Sequence, residues 1–118
     1  MNFDIVRDIG LKFSGVQEST AYGSPALKVQ GQLLARIPSN RSAEPESLVV
    51  RMDFDDRAEL LAADPDIYYI TDHYVGYSAV LVRLSRLTPD TLRDCARTWH
   101  VSLAALRSSA GKLRICAV

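Results

Sequence analysis

Apolar residues fall at positions 3, 5, 6, 9, 11 and 13 of the opening segment, FDIVRDIGLKF. That spacing is close to the helical repeat, and Asn2 stands ready to cap its start. Gly10 weakens the middle of this helix and Ser14-Gly15 ends it. The period then changes to two. A short strand is predicted over 16–20, then a turn at Tyr22-Gly23-Ser24-Pro25, and ALKVQGQLLARI reads as two strands about a tight Gln30-Gly31 turn. PSNRSAEPE (38–46) is a loop by composition. SLVVRM (47–52) is again a strand, forming a long-looped hairpin with 31–37.

Asp53 is placed to cap the helix FDDRAELLAA, whose acids at 55 and 56 suit the positive end of its dipole, and Ala63-Asp64-Pro65-Asp66 stops it. IYYI (67–70) and YSAVLVRL (77–84) are strands by their β-branched and aromatic content. Thr88-Pro89-Asp90 starts a last helix. It aligns Leu92, Ala96, Trp99, Leu103 and Leu106 on one buried face. Segment 108–118, SSAGKLRICAV, continues no pattern and is expected to be a loose tail or a short docked strand. The chain is thus one domain over 1–107 with a C-terminal tail. The order α-β-β-β-β-α-β-β-α, with short hairpin loops, predicts an α+β fold: an antiparallel sheet with helices packed on one face. Without βαβα alternation or a glycine-rich phosphate loop, Rossmann and P-loop readings fail.

Composition narrows the functional classes. The 118 residues are 47% hydrophobic and 24% charged, ordinary for a globular domain. No apolar run approaches the ~20 residues of a membrane span. MNFDIVRDIG has acids where a signal peptide needs bases, so a cytoplasmic protein is expected. Cys95 and Cys116 lack CxxC spacing and are expected to be reduced thiols. Two His without an HExxH leave no structural zinc motif, and neither metal nor cofactor is expected. Zero net charge argues against a binder that works by bulk charge. Its distribution is uneven, with 12 acids and 7 bases in residues 1–72 against 2 acids and 7 bases in 73–118.

Three blocks, AYGSPALKVQGQLLARI, LVVRMDFDDRAELLAADP and YYITDHYVGYSAVLVRL, closely resemble the MmcQ/YjbR family of small bacterial proteins. The likeness covers about residues 3–101 and preserves the motif order. It implies a frataxin-like (CyaY-like) or double-wing α+β fold associated with DNA binding. Leu27 and Leu34 depart from the family's usual aromatic residues, Gln32 from a common Lys, and the chain's ending from a basic, Pro-containing one. Frataxin's acidic metal ridge lies on the first helix, where this chain offers only Asp4 and Asp8, separated by Arg7. Capping explains the other cluster, Asp53, Asp55, Asp56 and Glu59.

Two basic surfaces follow from periodicity. Strand alternation sends Leu27, Val29, Leu33, Ala35, Ile37, Leu48, Val50, Met52, Val80, Val82 and Leu84 to one face. Lys28, Arg36, Arg51, Tyr77 and Arg83 go to the other, where four bases and a phenol can hold a phosphate backbone or another polyanion. The alternative is a plain solvated sheet face. On the last helix, Arg93, Arg97, His100 and Arg107 form a second basic stripe, suited either to phosphates or to the helix's own dipole.

The loop TDHYVG carries His73 and Tyr74, with Tyr77 just behind. It reads as a packed tip whose aromatics fix a hairpin and whose Gly76 permits a tight return. It also reads as an edge of the basic face, where His73, Tyr74 and Tyr77 stack on a base or planar ligand. No nucleophile elbow accompanies His73, so catalysis is not expected. The sequence therefore predicts a non-enzymatic module that binds DNA, weakly and non-specifically, or another anionic ligand, as a monomer or weak dimer. The alternative is a small-molecule or protein-binding module with a cleft between two wings.

Overall fold

The computed structural model describes residues 2–38 and 42–116, with side chains as far as Ala105. The Asn2 side chain accepts the amide of Ile5 at 3.3 Å and opens α1 (Phe3–Gly10). The helix stops three residues short of the apolar pattern, and Gly10 lies at its end rather than its middle. A Cβ on Gly10 would sit 2.5 Å from Cδ1 of Leu27, which is itself 1% exposed. The glycine is therefore a close-approach residue between helix and sheet. Gly10→Ala should lose about 1–2 kcal/mol, because moving the Leu27 methyl within a packed core costs more than the better helix propensity returns. A lowered denaturant midpoint at unchanged slope is the measurement.

Three strands follow: β1 (Val16–Ala21), β2 (Ser24–Val29) and β3 (Gln32–Arg36). They are joined by two-residue turns, Tyr22-Gly23 (φ 53° and 77°) and Gln30-Gly31 (φ 50° and 80°). Positive φ at both central positions is the mirror-image turn whose twist matches that of the strands. The first turn is tighter than 22–25, since Ser24 and Pro25 already belong to β2.

The second half contains β4 (Ser47–Arg51), α2 (Phe54–Ala63), β5 (Tyr68–Tyr69), β6 (Ala79–Arg83) and α3 (Pro89–Cys116). Asp53 caps α2 by accepting the Asp56 amide at 2.7 Å. Thr88 and Thr91 cap α3 reciprocally, each hydroxyl accepting the other's amide. Segment 108–116 is not a tail or strand: α3 runs on through it. The segment has no proline, and Ala, Leu, Lys and Arg carry a helix through Gly111.

All strand pairs are antiparallel, in the order β1-β2-β3-β4-β6-β5. The fold is α+β, as expected, with the main core between one sheet face and the helices. Leu27, Leu48, Val50, Val80 and Val82 meet Val6 and Ile9 of α1 and Leu92, Ala96, Trp99 and Leu103 of α3 there. Leu60 and Leu61 of α2 close the same cluster. Trp99 donates its indole N–H to the Tyr68 hydroxyl at 3.1 Å, and burial pushes that phenol far above its ordinary range. Leu27 and Leu34 are both core residues.

Strand alternation fails at one place. The β2–β3 register slips between Leu27 and Lys28, where Leu34 is an extra residue. Leu34 and Ala35 both turn to the core, and Leu33 goes to the opposite face instead. That opposite face is not simply solvated. Val49, Ala79 and Leu81 form a second small cluster there, covered by Tyr74 from the 72–78 loop.

Candidate ligand cleft on the helix-free sheet face

Ala26, Arg36, Val49, Leu81 and Tyr69 are successive cross-strand partners and so share one face. Arg51 stands opposite Ala79, Arg83 opposite Ser47, and Lys28 opposite Leu33. The four predicted bases thus lie on the helix-free face, but only Arg36 and Arg51 enter a common cleft. It has a volume of about 490 Å³ and a floor of Leu33, Val49 and Ala79. Tyr22 stands on one side and the 73–78 loop on the other. Among the described residues no Asp or Glu lines it.

Tyr22 was not anticipated from the sequence. Its φ of 53° is costly for a bulky residue, yet its ring is 81% exposed. The Arg36 guanidinium lies 4.9 Å from the ring centroid. Nη1 of Arg36 donates to the Ile37 carbonyl at 3.3 Å, whereas its Nε is buried with no hydrogen-bond partner among the described residues. Arg51 is exposed and makes no ion pair or side-chain hydrogen bond within the described set.

The other wall is aromatic. His73 meets Tyr74 edge-on at 4.9 Å and Tyr77 at 5.7 Å between centroids. Tyr74 is 3% exposed, and its hydroxyl is the second buried polar atom in the lining without a partner among the described residues. Tyr77 lies before β6 begins, so its place comes from the loop rather than from alternation. Gly76 is not what permits the return. Its φ is not positive, and a Cβ there would meet nothing within 4 Å.

Arg57 of α2 holds the loop instead. Its Nη1 donates to the carbonyls of Tyr74, Tyr77 and Ala79 at 3.0, 2.8 and 3.2 Å, and Nη2 donates to Val75 at 3.1 Å. The Phe54 ring packs 4.6 Å from the guanidinium. Nothing in the sequence singles Arg57 out, because the acids around it suffice to explain the helix start. It is simply the one base within DFDDRAE.

Arg83 shares the face but is engaged with an acid outside the cleft. It forms a two-pronged ion pair with Glu44 (2.8–3.1 Å) and donates to the carbonyls of Pro65 and Asp66. It also stacks 4.2 Å from the Tyr69 ring. This clasp ties the 42–47 loop to the sheet edge. The hydrogen bond from Arg83 holds Glu44 below its ordinary value of 4.5. A carboxyl depressed in the folded state stabilises above its unfolded value and loses that contribution as pH falls through its folded one. Acidification below pH 4.5 should therefore loosen the 42–47 loop, with amide NMR shifts of Ser42–Ser47 as the readout. Glu44→Gln should show the loosened spectrum already at neutral pH.

Among the described residues the bases of the helical stripe are already engaged. Arg93 pairs with Asp90 at 2.9 Å and Arg97 with Asp94 at 3.2 Å. Nε2 of His100 bonds the Ser14 carbonyl at 2.7 Å while its ring packs on Phe13. The Arg107 side chain lies outside the described residues. Among the described residues no group of three His, Cys, Asp or Glu can hold a metal, and no helix is long and apolar enough to cross a membrane. No protein-family model matches the chain, and no curated protein is detectably similar to it in sequence.

Proposed function

We propose that this protein is a cytoplasmic, non-enzymatic nucleic-acid-binding module of the MmcQ/YjbR type that uses the helix-free sheet face. One observation carries the reading: Arg36, Arg51, Tyr22, His73 and Tyr77, from separate parts of the chain, line one cleft that no acid enters among the described residues. Cations recognise phosphate, and exposed rings offer stacking surfaces that tolerate any base. The surroundings of His73 fit stacking better than proton transfer, since its neighbours are tyrosine rings and no hydrogen bond joins it to a Ser, Thr or Cys among the described residues. A second reading, a planar anionic small molecule, draws on the cleft's volume of about 490 Å³, which falls within the roughly 300–1,000 Å³ of ligand sites.

The test is a salt-titrated binding assay on random DNA. With Arg83 clasped by Glu44, three bases remain for phosphates: Lys28, Arg36 and Arg51. The slope of log K against log salt should be about −2 on single strands and about −3 on duplex. Dissociation constants should lie near the non-specific range of about 10⁻⁴–10⁻⁶ M. If no salt-dependent binding occurs at low ionic strength, the nucleic-acid reading fails.

A further inference from the structure

We infer that the cleft is a seat for one unpaired nucleotide, its base against Tyr77 and His73 and its two flanking phosphates at Arg51 and Arg36, so that the protein selects single strands over duplex. The inference rests on the nucleic-acid reading above and adds to it which form is bound.

Three features point this way. The first is the polarity of the lining. Arg36 Nε and the Tyr74 hydroxyl are buried without partners among the described residues, and both can donate. Arg51 adds a guanidinium with no partner in that set, and no carboxylate competes for it. Two guanidinium groups in a lining that no carboxylate enters among the described residues favour a ligand rich in anionic acceptors. Phosphates are such acceptors, and the carbonyl edge of a base adds neutral ones.

The second feature is the aromatic wall. Tyr77 is 58% exposed, and Tyr22 across the cleft 81%. Large exposed rings around one depression are an unusual surface for a monomeric domain. A ring recognises a base through its π-face, and inside a duplex both faces of every base but those of the end pairs are already stacked. Away from duplex ends, only a single strand, a bulge or an extruded base presents that face, and extrusion costs a few kcal/mol.

The third is rigidity. Arg57 pins the carbonyls of residues 74, 75, 77 and 79, so the wall is built before any ligand arrives. Preorganisation of this kind lowers the entropic cost of binding.

Fluorescence anisotropy with a labelled mixed-sequence single strand and the same sequence as a blunt duplex tests the inference, at one salt concentration. Wild type should favour the single strand. Tyr77→Ala should weaken single-strand binding about 5- to 150-fold, the equivalent of the roughly 1–3 kcal/mol worth of one stacked base, and leave duplex binding unchanged. Tyr77→Phe keeps the ring and should keep the preference. Thermal unfolding of both variants confirms folding, which the exposure of this side chain allows. Duplex binding equal to or tighter than single-strand binding overturns the inference while leaving the nucleic-acid reading intact. So does a Tyr77→Ala loss that is equal on both forms. Failure of both forms to bind removes the underlying reading as well.

Discussion

Arg57→Ala should lower stability by about 2–5 kcal/mol and abolish binding at the cleft even in molecules that stay folded. The carbonyls of Tyr74 and Ala79 receive this guanidinium in buried surroundings, and those of Val75 and Tyr77 in partly buried ones. Truncation leaves the Ala79 and Val75 carbonyls without a donor among the described residues, at about 1–3 kcal/mol each, while the carbonyls of Tyr74 and Tyr77 keep the backbone amides of Tyr77 and Ala79. Against a typical total of about 5–15 kcal/mol that is a large fraction. Arg57→Lys should recover only part of the loss, because one ammonium cannot reach four carbonyls that a planar fork spans. Chemical denaturation of the three proteins measures the first effect, and anisotropy on single-stranded DNA the second. An Arg57→Ala protein of wild-type stability would show that the loop holds itself, and the account of the wall as a prebuilt surface would fall.

The second large effect concerns charge. Arg36→Ala combined with Arg51→Ala should make the salt slope on single strands shallower by about 1.4, from about −2 to about −0.7. Raising salt from about 50 to 200 mM then weakens wild type about 20-fold but the double variant only about threefold. Stability should change little, since Arg51 is exposed and Arg36 gives one hydrogen bond at 3.3 Å. Arg93→Ala with Arg97→Ala should leave the slope unaltered, as both side chains are already paired with acids of their own helix. If the helix variant flattens the slope and the sheet variant does not, the site belongs on α3.

The sequence by itself determined the order of elements, the start of each helix and the apolar face of the sheet. These are local properties. Asn2, Asp53 and Thr88 cap helices because the amides they bond lie three residues away. Leu48, Val50 and Met52 face the core opposite Arg51 because a strand alternates. The same alternation brought Arg36, Arg51 and Arg83 to one face.

Tertiary structure decided which of those bases are available. Glu44 is 39 residues from Arg83, and no spacing rule joins them, yet their ion pair engages Arg83 outside the cleft. One extra residue at Leu34, invisible to a period of two, turned Leu33 into the cleft floor. Arg57 looked like a helix base among acids until the fold set it beneath carbonyls 17 to 22 residues farther on. Periodicity reports which way a side chain points from its own element. What it meets there depends on contacts between segments distant in sequence, and these exist only once the chain has folded.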